Sequence, residues 1–491
     1  MKKILIFTLC ISLLSTFAVK AQVQIEITLE QAIELAHKQS LYSFRAQNMY
    51  LASYWEFRSY KASRLPSLNL RTEPLVLSQT VQPDYGGEGF VTINSLSSSG
   101  TLEIRQNFTP TGGVFDVSST LKRIENMSQD EIGFTSYPIS VGFRQSLNGY
   151  NSFRWQARTE PLKFEIAKKS YLQTLQTIAM QTIMYFFNAI DAEIEKQIAV
   201  TNYANADTLY RIGKGRFEIG TVTQDELLDL ELGLLNAEMS LAMSEIGLRE
   251  AKTYLNSFLV VPEDITIKCV VPIQIPDLKI NVNNALNMAM ENNPTMLGYE
   301  LSLLNAGENV ARTRANTGLD ASIRASIGIN KRDSILSKVY QSPFENDRLV
   351  SVSLNIPIMD WGYRKGQIQM AKSNQEVTEL QIAQNRIDFE QNVINQVLAF
   401  NLQEKQVAIA SKADTIAQLG FDVTMQRFRI DKVDVIRLNS ARTSLDAARR
   451  RYYSSLRNYW SSFYTIRQLT LFDFLNNKTL LEELDELLQR K

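Results

Sequence analysis

The chain has 491 residues, with 52 Lys and Arg against 52 Asp and Glu, one histidine and two cysteines. Balanced charge argues against a strongly basic nucleic-acid binder, and a single histidine leaves no material for a multi-histidine metal site or for a Ser-His-Asp triad beyond that residue. With only 21 Gly and 12 Pro, and long stretches free of both, the chain is expected to form helices well beyond the usual three turns.

Lys2 and Lys3 open the chain, an apolar run follows from Ile4 to Val19, and Val19-Lys20-Ala21 completes the layout of a secretory signal peptide cleaved before Gln22. Cys10 lies inside that signal, without a lipoprotein box ahead of it, so the mature chain keeps Cys269 alone and forms no internal disulfide. Losing Lys2, Lys3 and Lys20 takes 52 basic residues to 49 against 52 acidic ones, a net of −3. The apolar run is short for a transmembrane helix, and no later stretch approaches the roughly 20 apolar residues that one needs. A membrane crossing would therefore have to be made by β-strands.

Next comes an amphipathic segment, ITLEQAIELA (27–36), followed by His37, which reads as a plain surface or interface residue. A companion, INVNNALNMA, occupies 280–289, so that Ala32 and Ala36 meet Ala285 and Ala289 at an offset of 253. Further along, residues 139–258 match 350–469 without a gap at an offset of 211: Ile198 meets Ile409, Arg216-Phe217 meets Arg427-Phe428, and Ala237 meets Ala448. The chain is thus a duplication, and the difference between 253 and 211 leaves 42 extra residues in the first copy, between about Leu70 and Ile139.

Both copies contain period-two alternation. Val350, Val352, Leu354, Ile356 and Ile358 oppose Ser351, Ser353, Asn355 and Pro357, and Ile323, Ala325, Ile327 and Ile329 form a partner strand. In the first copy Ile139, Val141 and Phe143 alternate with Ser140, Gly142 and Arg144, while Leu68, Leu70 and Leu75 make a less regular opening strand. The 42-residue surplus carries Leu102, Ile104 and Phe108, then Pro110-Thr111-Gly112-Gly113, then Phe115, Val117 and Leu121, which reads as an added hairpin. Tyr137, Tyr150, Trp361 and Tyr363 fall at strand ends, where an aromatic belt would lie.

Phe153–Arg211 and Arg364–Gln426 are rich in helix formers and free of proline after Pro161, predicting helices of about 90 Å. Each is followed by a returning helix, Thr223–Leu259 or Asp434–Leu469, and such hairpins must bury their apolar stripes against copies of themselves. Arg449-Arg450-Arg451 reads as a solvated or inter-subunit helix face, and Gly213-Lys214-Gly215 lacks the spacing of a phosphate loop. Nothing supports an enzyme, and no cofactor is expected.

The duplicated plan, TLEQAIELA with RLPSLNL (Arg64–Leu70), and the bends RFEIGTV (Arg216–Val222) and RFRIDKV (Arg427–Val433) resemble the TolC-type outer-membrane efflux proteins over essentially the whole mature chain. The resemblance implies a mostly α fold with a β-barrel part, in which long antiparallel coiled-coil hairpins of a homotrimer form an α-barrel continuous with a shared transmembrane β-barrel. It implies a place in the outer membrane with the helices in the periplasm, and a passive conduit for tripartite efflux or type I secretion. The implied partners are outer-membrane lipid, a periplasmic adaptor (membrane fusion) protein and an inner-membrane transporter of the RND or ABC class, with no nucleic acid.

Carried onto this chain, the resemblance assigns adaptor-docking tips at Arg216, Phe217, Gly220, Thr221 and Val222, and at Arg427, Phe428, Asp431, Lys432 and Val433. Family bends carry a small residue, which Gly220 matches and Asp431 does not. A periplasmic aperture is expected from Glu226, with Asp225 and Asp229 beside it, and from Arg437 and Ser440, which stand where family members often place aspartates.

The resulting division is a signal at 1–21, a first repeat at 22–262 with about four strands, a linker at 263–280, a second repeat at 281–472 with two strands, and a tail at 473–491. Three chains would give 18 strands if the added hairpin joins the barrel, and 12 if it folds outside. A pore-free periplasmic coiled-coil scaffold is the competing reading; it explains the helices but leaves the amphipathic strands without a purpose.

Overall fold

The computed structural model describes residues 23–83, 89–262, 265–430 and 432–482; the expected signal peptide with Cys10 lies outside them, as does Asp431. The elements form two compact units, and each unit draws on both repeats. One holds residues up to 49, 169–293 and 388 onward; the other holds 50–168 and 294–387.

The duplication is visible in element boundaries. Helices α1 (Leu29–Gln39) and α5 (Val282–Asn292) have 11 residues each and start 253 apart. Long helices α3 (Ser152–Glu218) and α7 (Tyr363–Arg429) have 67 residues each, about 100 Å, and start 211 apart. Returning helices α4 (Gln224–Leu259) and α8 (Val435–Thr470) repeat that offset with 36 residues each.

In the first unit, α1 starts on a reciprocal cap: the Thr28 hydroxyl accepts from the Gln31 N–H while the Gln31 side chain accepts from the Thr28 N–H. Ala32, Ala36, Ala285 and Ala289 are fully buried, so small side chains let α1 and α5 sit close against a core that includes Phe186, Phe187, Phe400 and Tyr459. Ion pairs order the long helices side by side. Glu193–Lys252 (3.0 Å) and Lys196–Glu245 (3.5 Å) join α3 to α4, and Asp191–Arg457 (3.0 Å) joins α3 to α8. Glu195 takes a two-pronged contact from Arg450, again between α3 and α8, and Arg449 reaches Asp414 (3.6 Å) and Gln418 (2.8 Å) on α7. The sequence of neighbours is α4, α3, α8, α7, with α4 and α7 on the flanks. Arg449 and Arg450 of the arginine run are thus engaged between helices of one chain, while Arg451 is exposed.

Two readings change in this unit. His37 is half-buried, and its Nε2 donates to the Leu175 carbonyl at 2.9 Å. The segment read as a linker contains β6 (Ile265–Cys269), which pairs in parallel with β1 (Val23–Ile27). Burial beside that pair pushes the Cys269 thiol up to about 12, which makes it inert toward thiolate chemistry.

The second unit is built on one six-stranded, fully antiparallel sheet. Its strands are β2 (Ser67–Pro83), β3 (Phe90–Phe108), β4 (Gly113–Asn126), β5 (Glu131–Ser146), β7 (Asp320–Asp333) and β8 (Glu345–Asn355), in that spatial order. The added hairpin β3–β4 therefore lies inside the sheet, between β2 and β5. Its turn closes with Gly112 at φ +79° and the Gly112 N–H donating to Phe108 at 2.9 Å. Helix α2 (Leu41–Ser63) enters the unit at residue 50 and leads into β2, with Phe57 stacked on Phe164 of α3 at 4.8 Å. Helix α6 (Pro294–Thr317) leads into β7.

Candidate functional site

Cross-strand partners share a face of a sheet, so the registers sort every strand residue to one of two faces. On one face Leu68 pairs with Ile104, Ile104 with Val117, Val117 with Val141, and Val141 with Ile327. Ile323–Val352, Ala325–Val350 and Ala321–Leu354 continue that face to the edge. These apolar side chains are largely exposed in the single chain, including Leu70, Val350 and Leu354. On the other face Thr101 meets Thr120, their hydroxyls 3.0 Å apart, Arg105 meets Asp116, Arg144 meets Arg324, and Ser322 meets Ser353.

The apolar face has a definite height. On β7 it runs from Ala321 to Ile329, eight steps or about 27 Å, against the ~25 Å of a lipid-facing barrel band, while on β3 the same face carries Leu102, Ile104 and Phe108 with Gln106 among them. Above it the same face turns charged, with the Arg123–Glu125 pair at 2.7 Å and with Lys331. Arg348 enters one pair below the upper limit, opposite Ile327, from where its long stem can carry the guanidinium to headgroup level.

Two prolines explain where simple alternation breaks down. The ladder slips by one residue between Glu73 and Val76, at Pro74, and again between Ser136 and Ile139, at Pro138. Proline cannot donate to the ladder, so the strand bulges there and the faces exchange. As a result Leu77, opposite Leu96, continues the face of Leu68, and Tyr137, opposite Thr120, falls on the polar face.

The expected aromatic belt is accordingly reassigned. Tyr150 is tied to the helices by its hydroxyl, which donates to Glu308 at 2.7 Å, and Trp361 and Tyr363 lie beyond the end of β8. The aromatic row on the apolar face is instead Phe108, Phe115 and Phe143, with ring centroids 6.0 and 4.5 Å apart, at the helix-side limit of the band.

Both edges of the sheet are open. Strand β2 is exposed along its whole length and β8 nearly so. The helical unit repeats this on its flanks. Helix α4 exposes Leu228, Leu232, Leu235, Met239, Met243 and Ile246, and α7 exposes Leu398, Leu402, Ile409, Ile416, Leu419 and Val423, both at coiled-coil spacing. Among the described residues, α8 exposes only Ile436 of its large apolar side chains.

At the first tip, α3 ends in a Schellman turn: the Thr221 N–H donates to Arg216 and the Gly220 N–H to Phe217, each at 3.0 Å, with Gly220 at φ +75°. At the second tip the Lys432 N–H donates to Arg427 at 2.9 Å, the equivalent bond 211 residues on. Val433 lies in the turn that follows, as Val222 does at the first tip, and Thr223 and Asp434 stand as the two N-caps. The Phe of each Arg-Phe pair behaves differently: Phe217 is 40% exposed, whereas Phe428 is 7% exposed and packs with Leu209, Phe421, Leu438 and Leu445.

Asp225, Glu226 and Asp229 are exposed in the first two turns of α4, and Arg437 and Ser440 at the start of α8. Glu226 accepts from the Thr223 N–H (2.9 Å) and hydroxyl (3.0 Å) and so caps its helix. The Thr223 hydroxyl and the first-turn N–H groups also hold the Asp225 carboxyl below the usual carboxylate range. Asp434 caps α8 by accepting from the Arg437 N–H at 2.8 Å. Among the described residues, no ion pair within the chain joins Arg437 to Asp225 or Glu226.

Residues 285–470, from within α5 to the end of α8, match the family model described as outer membrane efflux protein. The likeness to that family is thus carried by the second repeat. Its fold is shared with solved outer-membrane channels along nearly its whole length. The CmeC channel of Campylobacter jejuni is 14% identical at a TM-score of 0.63, covering 91% of this chain and 88% of that one. VceC of Vibrio cholerae is 12% identical at 0.61, covering 90% and 95%, and MtrE of Neisseria gonorrhoeae, in its open state, is 15% identical at 0.60, covering 90% and 88%. No curated protein sequence matches the chain. No helix among the described residues is long and apolar enough to cross a membrane.

Proposed function

We propose that this chain is one subunit of a homotrimeric outer-membrane channel, a passive conduit from periplasm to exterior serving tripartite efflux or type I secretion. The observation that carries the reading is the six-stranded sheet, apolar on one face over a bilayer-high band, polar on the other, and open at both edges. An even number of antiparallel strands leaves β2 and β8 running in opposite directions, so β8 of one subunit can continue antiparallel into β2 of the next. Three subunits of six strands give 18, enough to surround an aqueous lumen. The exposed stripes of α4 and α7 supply the matching helical contact.

In this assembly the repeats at 22–262 and 281–472 each provide one hairpin. The tips at Arg216–Val222 and Arg427–Val433 present themselves to a periplasmic adaptor, which links the channel to an inner-membrane RND or ABC transporter. Threefold symmetry gathers Asp225, Glu226 and Asp229 into an acidic ring at the periplasmic aperture, with Arg437 and Ser440 on the neighbouring tips. The decisive experiment is the detergent-subtracted mass of the particle extracted from membranes. Three chains per particle, recovered only with detergent, support the channel; a water-soluble monomer or dimer overturns it in favour of the scaffold.

A further inference from the structure

Where the chain passes between helix and strand, at the helix side of the sheet, basic residues accumulate. The end of α2 carries Arg58 and Lys61, Arg64 follows it directly, and the start of α3 carries Arg154 and Arg158. The end of α6 adds Arg312 and Arg314, and the start of α7 adds Arg364 and Lys365. Across 54–66, 147–158, 312–320 and 355–366 there are nine basic residues against Glu56, Asp320 and Asp360, a net of +6. With residues 22–491 at −3, the remainder of that chain carries −9, so this concentration runs against the charge of the protein around it.

All nine are exposed, and among the described residues none of them stands in an ion pair with a carboxylate. Several instead lie over aromatic rings: Arg58 over Trp55 at 5.1 Å, Lys61 over Phe57 at 4.5 Å, Arg64 over Tyr60 at 5.8 Å and Arg158 over Trp155 at 5.7 Å. Such stacking keeps a cation extended along its ring, with Arg64 also donating one N–H to the Tyr60 hydroxyl at 3.4 Å. On the sheet just above lies the row of Phe108, Phe115 and Phe143, and above that the apolar band. Apolar band, aromatic row and cationic collar follow one another in the order in which a leaflet presents acyl chain, carbonyl region and phosphate.

We propose that the collar binds the phosphodiester groups of anionic glycerophospholipids in the inner leaflet of the outer membrane, and so fixes the depth of the barrel. The proposal rests on the channel reading, which puts the helix side of the sheet toward the periplasm. Inner-leaflet phospholipid is the occupant because the collar lies on the helix side of the band, a full band height from the leaflet that holds lipid A.

The test places the detergent-purified particle in nanodiscs of phosphatidylethanolamine with a minor fraction of phosphatidylglycerol, and reads retained lipid by native mass spectrometry. The wild-type particle is expected to retain phosphatidylglycerol with an enrichment of at least about tenfold. The combined change Arg58→Gln, Lys61→Gln, Arg64→Gln, Arg364→Gln and Lys365→Gln should abolish the enrichment without changing particle mass. Lysine at the three arginine positions, with Lys61 and Lys365 retained, should preserve it. Equal retention of both lipids by the wild type, unchanged enrichment in the glutamine variant, or retention of lipid A from native membranes in place of phospholipid would each overturn the proposal. A particle that is not a membrane-extracted trimer refutes the channel reading itself, is recognised by its mass, and takes this proposal with it.

Discussion

The two helical hairpins share a backbone plan and differ in what they expose. Helices α3 and α7 start 211 residues apart, as do α4 and α8, yet the first repeat leaves its returning helix uncovered and the second leaves its outgoing helix uncovered. The inner pair, α3 and α8, is held by Glu195–Arg450 and Asp191–Arg457, so the duplicate copies are packed back to back. This gives the chain two unlike flanks, which the proposed ring would join head to tail.

The sharpest way to break that comparison is to charge one flank. Ile416→Glu with Leu419→Glu on α7 should dissociate the proposed trimer, at a cost of roughly 3 kcal/mol or more per interface, and Leu232→Glu with Leu235→Glu on α4 should do the same. Both are read from the detergent-subtracted mass. Dissociation by the α7 pair alone would mean that α4 does not meet a neighbour.

A smaller effect separates the tips. Phe428→Ala should cost about 3 kcal/mol of thermal stability, because it empties a filled cluster, while Phe217→Ala should cost less than about 1 kcal/mol. Equal melting shifts would show that the exposed Phe217 is covered in the assembly. Smaller again, Gly220→Ala should destabilise by about 1 kcal/mol because its φ is positive, whereas Gly215→Ala, in open space on a helical turn, should stabilise by about 0.5–1 kcal/mol. Chemical denaturation of the two variants side by side decides this.

The smallest change concerns pH. Burial lowers the pKa of His37, so the unfolded chain binds its proton more readily than the folded one. The neutral side chain contributes fully above the ordinary histidine value of about 6.5, and stability falls as pH drops below it. Circular dichroism melts between about pH 7 and pH 5 should show this decline, and His37→Gln should flatten it.

Much of this was legible in the chain. Two offsets, 253 and 211, disclosed the duplication and sized the insertion, and Pro110-Thr111-Gly112-Gly113 marked the added turn. Gly220 identified the first tip because a helix that ends by a Schellman turn favours glycine at that position. Other features left no local trace. The returning helices end on Val260 and Leu471 at φ +54° and +47°, conformations that neither side chain advertises. The β1–β6 pair joins segments 242 residues apart, and two prolines moved the alternation from one face to the other. Phe217 and Phe428 follow the same arginine in the same turn, so nothing local separates the exposed ring from the buried one.

The added hairpin occupies the middle of the sheet and leaves β2 and β8 as its edges. A subunit can therefore gain two strands without remaking the surfaces by which it recognises its neighbours. Because barrel diameter grows roughly in proportion to strand number, going from four to six strands per subunit would widen the bore of the proposed barrel about 1.5-fold. Interior insertion is thus a route by which a channel lineage can change its gauge while its rules of assembly stay fixed.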